Sequence, residues 1–185
     1  MPLWYCKLAK DNPLHAPYHD KEYGFPATDE RVLFERFCLE IMQAGLSWEL
    51  VVKKRKALNK AFDGFRVSKV AAYGAKDIKR LLNDKTIIRN RLKIESIIAD
   101  AKIILAMRQS HGGFAAWLEA HRPRSKARWI KLFRETFKFT GGEIVGEFLM
   151  SLGILPGAHI PSCPVYKRIM DLKSKVNCSA KNKVA

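Results

Sequence analysis

The sequence predicts an all-α fold, and three observations carry that prediction. Apolar residues recur at i, i+3, i+4 and i+7 spacing in one segment after another, the pattern of a helix with one buried stripe. Strand-like alternation is confined to Phe137-Lys-Phe139, which is too short to matter. Gly and Pro punctuate the chain at short intervals, which gives about seven or eight helices joined by short loops.

Residues 1–26 lack sustained periodicity and contain Pro2, Pro13, Pro17, Gly24 and Pro26, so they read as an irregular arm. Trp4, Tyr5, Tyr18, Tyr23 and Phe25 are too many aromatics for a disordered one. Thr28 or Asp29 can cap a first helix that runs to Ala44. Leu33, Phe34, Phe37, Cys38 and Ile41 share one arc of it, with Leu39 and Met42 outside. A helix apolar on nearly every side belongs at the centre of its domain. Gly45 breaks the chain, and Ser47 can cap a second helix reaching Phe62, with Lys53, Lys54, Arg55 and Lys56 on its other face. Short helices follow near Ser68–Tyr73 and Ala75–Asn83. The segment Asp84–Ile94 leads into a long helix whose stripe is Ile94, Ile97, Ile98, Ala101, Ile104 and Leu105, stopped at His111-Gly-Gly113. Phe114–Ala120, Lys126–Thr136 and a core helix after Gly141-Gly142 complete the set. Residues 1–170 read as one domain. Residues 171–185 are polar and mostly basic and read as a disordered tail.

The chain has 185 residues, 48% of them hydrophobic, enough for a sizeable core. Lys and Arg number 34 against 18 Asp and Glu, a formal net charge of +16. That excess points to a polyanionic partner: DNA, RNA or an anionic membrane. No signature of an RNA-binding module supports the RNA reading. No apolar run approaches a membrane span, and no signal-peptide pattern opens the sequence, so a cytoplasmic protein is expected.

Three constellations carry chemistry. Glu40 lies at the edge of the apolar arc of the first helix, where a carboxylate must find a partner or face a cavity. Either it bonds a neighbouring backbone group or an Arg, or it forms the base of a pocket with Trp48 as an aromatic wall. Tyr18, Tyr23 and Trp48 suit a flat, electron-poor ring, or simply pack in the core. Cys6 and His19 near one end, with His159 and Cys163 near the other, make a Cys2His2 set that suits structural zinc; unrelated residues are the alternative. The turn at Asp84–Ile88, followed by Arg89, Arg91 and Lys93, makes a phosphate-binding corner or an ordinary solvated hairpin.

Five stretches, taken together and in order, resemble the type I 3-methyladenine DNA glycosylase family. They are Tyr18-His-Asp-Lys-Glu-Tyr-Gly24, Leu39-Glu40 with Gln43-Ala-Gly-Leu-Ser-Trp48, Ile87–Ile94, Phe137-Lys-Phe139 and His159-x-x-x-Cys163. The resemblance implies an all-α helix-hairpin-helix glycosylase with zinc-tethered termini, the ligands being Cys6, His19, His159 and Cys163. It implies that Glu40 reads the base and that Tyr18 and Trp48 wall it in. His15 and Tyr23 stand where the family has larger aromatics and would make the pocket smaller and more polar. The Thr86–Lys93 region, with Arg89 and Arg91, becomes the hairpin that grips DNA. Leu46, at the tip of the Gly45 break, is placed to fill the space the base leaves.

The implied activity is base-excision repair: a monomeric N-glycosyl hydrolase flips 3-methyladenine out of alkylated double-stranded DNA and releases it. The alternative is a DNA-binding relative that keeps zinc and hairpin but excises nothing. The chain departs from the family pattern in having Leu8 for Trp, Thr86 for Gly, and Gly146 and Glu147 for a Tyr and a small residue.

Overall fold

Between Asp29 and Ser110, capping residues and apolar stripes set the helices close to where the sequence places them. In the computed structural model, which describes residues 2–181 and the side chains of residues 5–172, no strand occurs among the described residues. The chain divides into two compact units, where the sequence predicts one domain over residues 1–170. One unit joins the residues up to Pro26 with those from Leu149 on; the other spans Ala27–Phe148.

The first unit is more helical than its sequence suggests. The arm read as irregular contains α1 (Pro2–Ala9) and α2 (Ala16–Lys21). Both are too short to show a period, and Pro17 sits in the first turn of α2, where a missing N–H is harmless. At the far end the helix Pro164–Lys181 (α11 below) runs through most of the segment predicted to be a disordered tail. Its Val165 and Ile169, four apart, are buried with Cys6 and Cys163, and Phe25, Ile160 and Tyr166 pack against them. Residues 182–185 of the predicted tail lie outside the described residues. Gly24 is held at the centre of this unit. Its N–H donates to Ser151 O at 2.8 Å, its φ is +84°, and a Cβ there would meet Ala158 Cβ and Ile169 Cδ1 at 2.9 Å.

The second unit is built around α3 (Glu30–Gln43), the helix that reads as apolar on nearly every side. Asp29 caps it, accepting from Val32 N at 3.0 Å. Phe37 is the hub, with ring centroids of Phe148, Phe137, Phe133 and Phe114 at 5.1, 5.2, 5.7 and 6.3 Å. Ser47 caps α4 (Trp48–Ala61) by accepting from Leu50 N at 3.3 Å. Then come a 3-10 turn at Asp63–Phe65, α5 (Val67–Ala71) and α6 (Ala75–Asn83). α5 packs along α7 (Arg91–Ser110), whose Ile94, Ile97, Ile98, Ala101 and Ile104 are buried, while Leu105 of the predicted stripe is only half-buried. The remaining helices are α8 (Phe114–Ala120), α9 (Lys126–Thr136) and α10 (Gly142–Ser151), before α11. At Gly146 a Cβ would meet Lys126 Cε at 2.8 Å, so the Gly that departs from the family pattern leaves room for the lysine stem.

One buried acid supports this core and no motif announced it. Asp100 on α7 is fully buried, and its Oδ1 accepts from Lys138 N at 2.7 Å. That bond fixes the Phe137–Phe139 turn, in which Phe139 takes a left-handed φ of 55°. Burial raises the Asp100 carboxyl to about 7, and its Oδ2 has no hydrogen-bond partner among the described residues.

Candidate functional site

The first unit brings the four predicted metal ligands together. Cys6, His19, His159 and Cys163 are all buried, and their donor atoms lie within 4.8 Å of one another. Cys6 Sγ is 3.7 Å from His159 Nδ1; Cys163 Sγ is 3.6 Å from the same nitrogen and 3.7 Å from His19 Nε2. The other nitrogen of each ring is engaged elsewhere. His159 Nε2 donates to Tyr23 O at 2.7 Å, and His19 Nδ1 to Asp20 Oδ1 at 2.6 Å. Those bonds select tautomers whose free lone pairs face the cysteine sulfurs. Burial lowers the His159 pKa, which keeps the ring neutral, the form that binds metals. Four soft and borderline donors with no acid among them make a group able to hold a metal ion.

Tyr18, Tyr23 and His15 are buried in the same unit. Tyr23, His15 and His19 share the ring of Tyr5, whose centroid lies 5.5, 5.7 and 5.6 Å from theirs. Tyr23 also packs against Tyr18 at 5.8 Å and His159 at 5.6 Å. His15 and Tyr23 are thus part of an aromatic layer beside the Cys2His2 cluster.

In the second unit Glu40 is 2% exposed, and its Oε1 has no hydrogen-bond partner among the described residues. Burial holds the carboxyl well above the ordinary carboxylate range, and the charge of nearby Glu147 adds to the rise. One turn on, α3 ends at Ala44, and Gly45 takes a φ of +75° with open space about it. The turn is closed by Leu46 N donating to Gln43 O at 2.6 Å, and it leaves the Leu46 side chain 40% exposed. Trp48, the first residue of α4, is buried.

The hairpin between α6 and α7 departs from expectation at two residues. Thr86 needs no left-handed backbone: among the described residues, the non-glycine residues with positive φ are Asp11, Asp63, Phe65 and Phe139. Instead Thr86 N and Oγ1 both donate to Asp84 Oδ1, at 2.9 and 2.5 Å, so a side chain shapes the turn. Lys54 Nζ braces it by donating to Thr86 O at 2.7 Å. Arg89 and Arg91 are exposed, Arg91 pairing with Glu95 at 3.1 Å. Lys93, grouped with them as a DNA contact, is not on that surface. It is 4% exposed, and its Nζ donates to Met42 O at 2.8 Å and to Ala44 O at 2.6 Å. The carbonyls at the end of α3 capture it because they carry partial negative charge and lack helical donors.

The methyladenine glycosylase family model matches residues 8–128. The chain belongs to this family. Three of the four candidate metal ligands, Cys6, His159 and Cys163, fall outside the matched residues. The chain is 36% identical over 180 residues to the DNA-3-methyladenine glycosylase 1 of Escherichia coli (strain K12), covering 87% of this chain and 96% of the relative. It superimposes on a solved 3-methyladenine DNA glycosylase I from Staphylococcus aureus with a TM-score of 0.78 and 31% identity, covering 89% of this chain and 97% of that one. A variant of 3-methyladenine DNA glycosylase I solved in complex with 3-methyladenine gives a TM-score of 0.78 at 31% identity, over 86% and 96% of the two chains.

Sequence reasoning missed several residues that serve these features of the methyladenine glycosylase. Asp20, the partner of His19, had a signal in its adjacency. Tyr5, Lys54 and Asp100 had none, because each acts across a distance along the chain that no spacing rule spans. No helix among the described residues is long and apolar enough to cross a membrane.

Proposed function

We propose that the protein is a DNA base-excision repair glycosylase that releases 3-methyladenine from alkylated DNA by hydrolysis. The observation that carries this reading is Glu40: a buried carboxyl with one oxygen unpartnered, in a chain whose relatives include a glycosylase solved with 3-methyladenine.

A base alkylated at N3 is a cation and a good leaving group. When the bond from its N9 to the sugar breaks, the electron pair stays on the base and neutralises it, and water adds to the cationic sugar carbon, giving up a proton to solvent. The protein's task is to bring the base out of the stack and hold it. Glu40 accepts from the exocyclic amine and pairs its charge with the cation. The cation in turn favours the ionised carboxylate, against the burial that otherwise raises its pKa. The resemblance gives Tyr18 and Trp48 stacking roles, since aromatic faces attract a cationic ring. Leu46, on its exposed tip, fills the gap in the duplex. α6, the Asp84–Thr86 turn and α7 form the helix-hairpin-helix element, with Arg89 and Arg91 on the phosphates.

The Cys2His2 cluster fits zinc. Tetrahedral zinc with bonds of about 2.0–2.3 Å sets its ligands about 3.3–3.8 Å apart, and the sulfur–nitrogen separations here are 3.6 and 3.7 Å. Bound there, zinc closes four valences and supplies no open position for chemistry. Cys6 and His19 then tether the N-terminal arm to His159 and Cys163.

The test is release of 3-methyladenine from methylated duplex DNA by the wild type and by Glu40→Gln. Release by the wild type with a marked loss in the variant supports the reading. DNA binding by both without release replaces it with a binding-only relative.

A further inference from the structure

Lys93 is left unused by this account of DNA binding. Its stem runs from the first turn of α7 into the interior, and its ammonium sits on two carbonyls rather than on a carboxylate. Desolvation lowers its pKa, so the charge is kept at a cost. The two acceptors are informative. Met42 O is at the last turn of α3, and Ala44 O is the carbonyl immediately before Gly45. Gly45 has a left-handed φ and nothing near its Cβ position, so no side chain packs there to steady the break. Beside the Lys93 bond, the tip has the Leu46 N to Gln43 O bond, which lies within the turn itself. Lys93 thus links this tip to another element. That element, α7, is capped by Asn90, which accepts from Lys93 N at 3.1 Å and lies between the exposed Arg89 and Arg91.

We propose that Lys93 is a positioning residue: it fixes the Gly45–Leu46 tip to the start of α7, so that the apolar wedge and the phosphate-gripping hairpin meet the duplex at one set spacing. The proposal rests on the glycosylase reading, in which Leu46 enters the space left by the flipped base. An ammonium suits the task because its three donors radiate from one point and can hold two diverging carbonyls at once. Lys93 touches neither base nor phosphate, and its effect passes through Leu46.

The test is a double-mutant cycle between Lys93→Met, which keeps the stem and removes the donors, and Leu46→Ala. Three readouts are taken: single-turnover release of 3-methyladenine from duplex, release from single-stranded DNA, and hydrogen exchange at the amides of Gly45 and Leu46. Lys93→Met should slow duplex release by about 10–100-fold, the scale of a misplacement near 1 Å, and leave single-stranded release nearly unchanged. In the Leu46→Ala background it should add almost nothing. Exchange at the two amides should quicken. Where Lys93→Met does not fold, Lys93→Gln keeps an amide NH2 on a shorter stem without the charge and should give the same pattern, weaker. Equal losses on both substrates, full additivity with Leu46→Ala, or unchanged exchange would each overturn the proposal. A wild type that releases no base defeats the glycosylase reading instead, and the exchange measurement then still decides whether Lys93 holds the tip.

Discussion

The Cys6–His19–His159–Cys163 cluster and Glu40 are both buried polar groups, one in each unit, and they are completed in opposite ways. Each cluster histidine has its second nitrogen committed to an oxygen, and the four donors converge on one point. Glu40 keeps an oxygen with no partner. A closed set of donors is suited to holding a fold; an open acceptor is suited to a visitor. The difference teaches where to look for chemistry: at the buried group whose valence the protein itself does not fill.

The sharpest way to break the comparison is to open the closed site. Chelation, or Cys163→Ser, should unfold or loosen the first unit, with a loss of several kcal/mol; structural zinc contributes about 10–16 kcal/mol in zinc-finger peptides. Metal analysis with thermal denaturation checks this. A metal-free wild type as stable as the variant would remove the metal from the account.

Asp100 tests the comparison from the other side, since it too is a buried acid with an unpartnered oxygen. Here the reason is structural: its Oδ1 holds Lys138 N. Its folded pKa of about 7 lies above the ordinary 3.8. Its contribution to stability is therefore complete below the ordinary value and is lost as pH rises through about 7. Asp100→Asn keeps the acceptor and has no proton to lose. Its stability relative to wild type should improve by about 2–4 kcal/mol between about pH 4 and pH 8. Urea denaturation at the two ends of that range measures it, and base release should not change.

Glu40→Gln should do the reverse, leaving stability nearly unchanged and weakening binding of free 3-methyladenine by about 1–3 kcal/mol, the scale of a charge-assisted hydrogen bond. Calorimetric titration with the free base, beside a melting curve, separates the two. A variant that loses stability and keeps the base would make Glu40 another Asp100.

The smallest expected effect is at the surface. Arg89→Ala and Arg91→Ala should each weaken binding to every duplex alike and reduce the salt slope by about one. Fluorescence anisotropy across a salt series checks it, and unchanged slopes would move the phosphate contact off this hairpin.

What was legible in the chain was local. Asp29 and Ser47 announced their helices because a cap lies three residues from the N–H it satisfies. The α7 stripe was legible because its period is internal to one helix. The two halves of the Cys2His2 cluster are about 140 residues apart, so spacing left them open and only the family resemblance joined them. Lys93 was misplaced because its distance in sequence from Arg89 and Arg91 is compatible with either direction. What decides is the end of α3, about 50 residues away. The helical run of 171–181 was hidden by its basic composition, although Val165 and Ile169 already had helical spacing.

Gly24 carries a consequence for how this chain tolerates change. A side chain there would have to displace Ala158 and Ile169 and press on the ring of His159. Every one of the nineteen alternatives also meets a left-handed backbone, which proline cannot adopt and the others seldom do. In a survey of random substitutions scored by survival alone, position 24 would look as intolerant as Cys6 or His159, though it adds no donor to their cluster. A drift of the lineage at Cys6 or His159 could be followed by compensation among donors. At Gly24 no replacement offers that route, and the residue is kept for the volume it does not occupy.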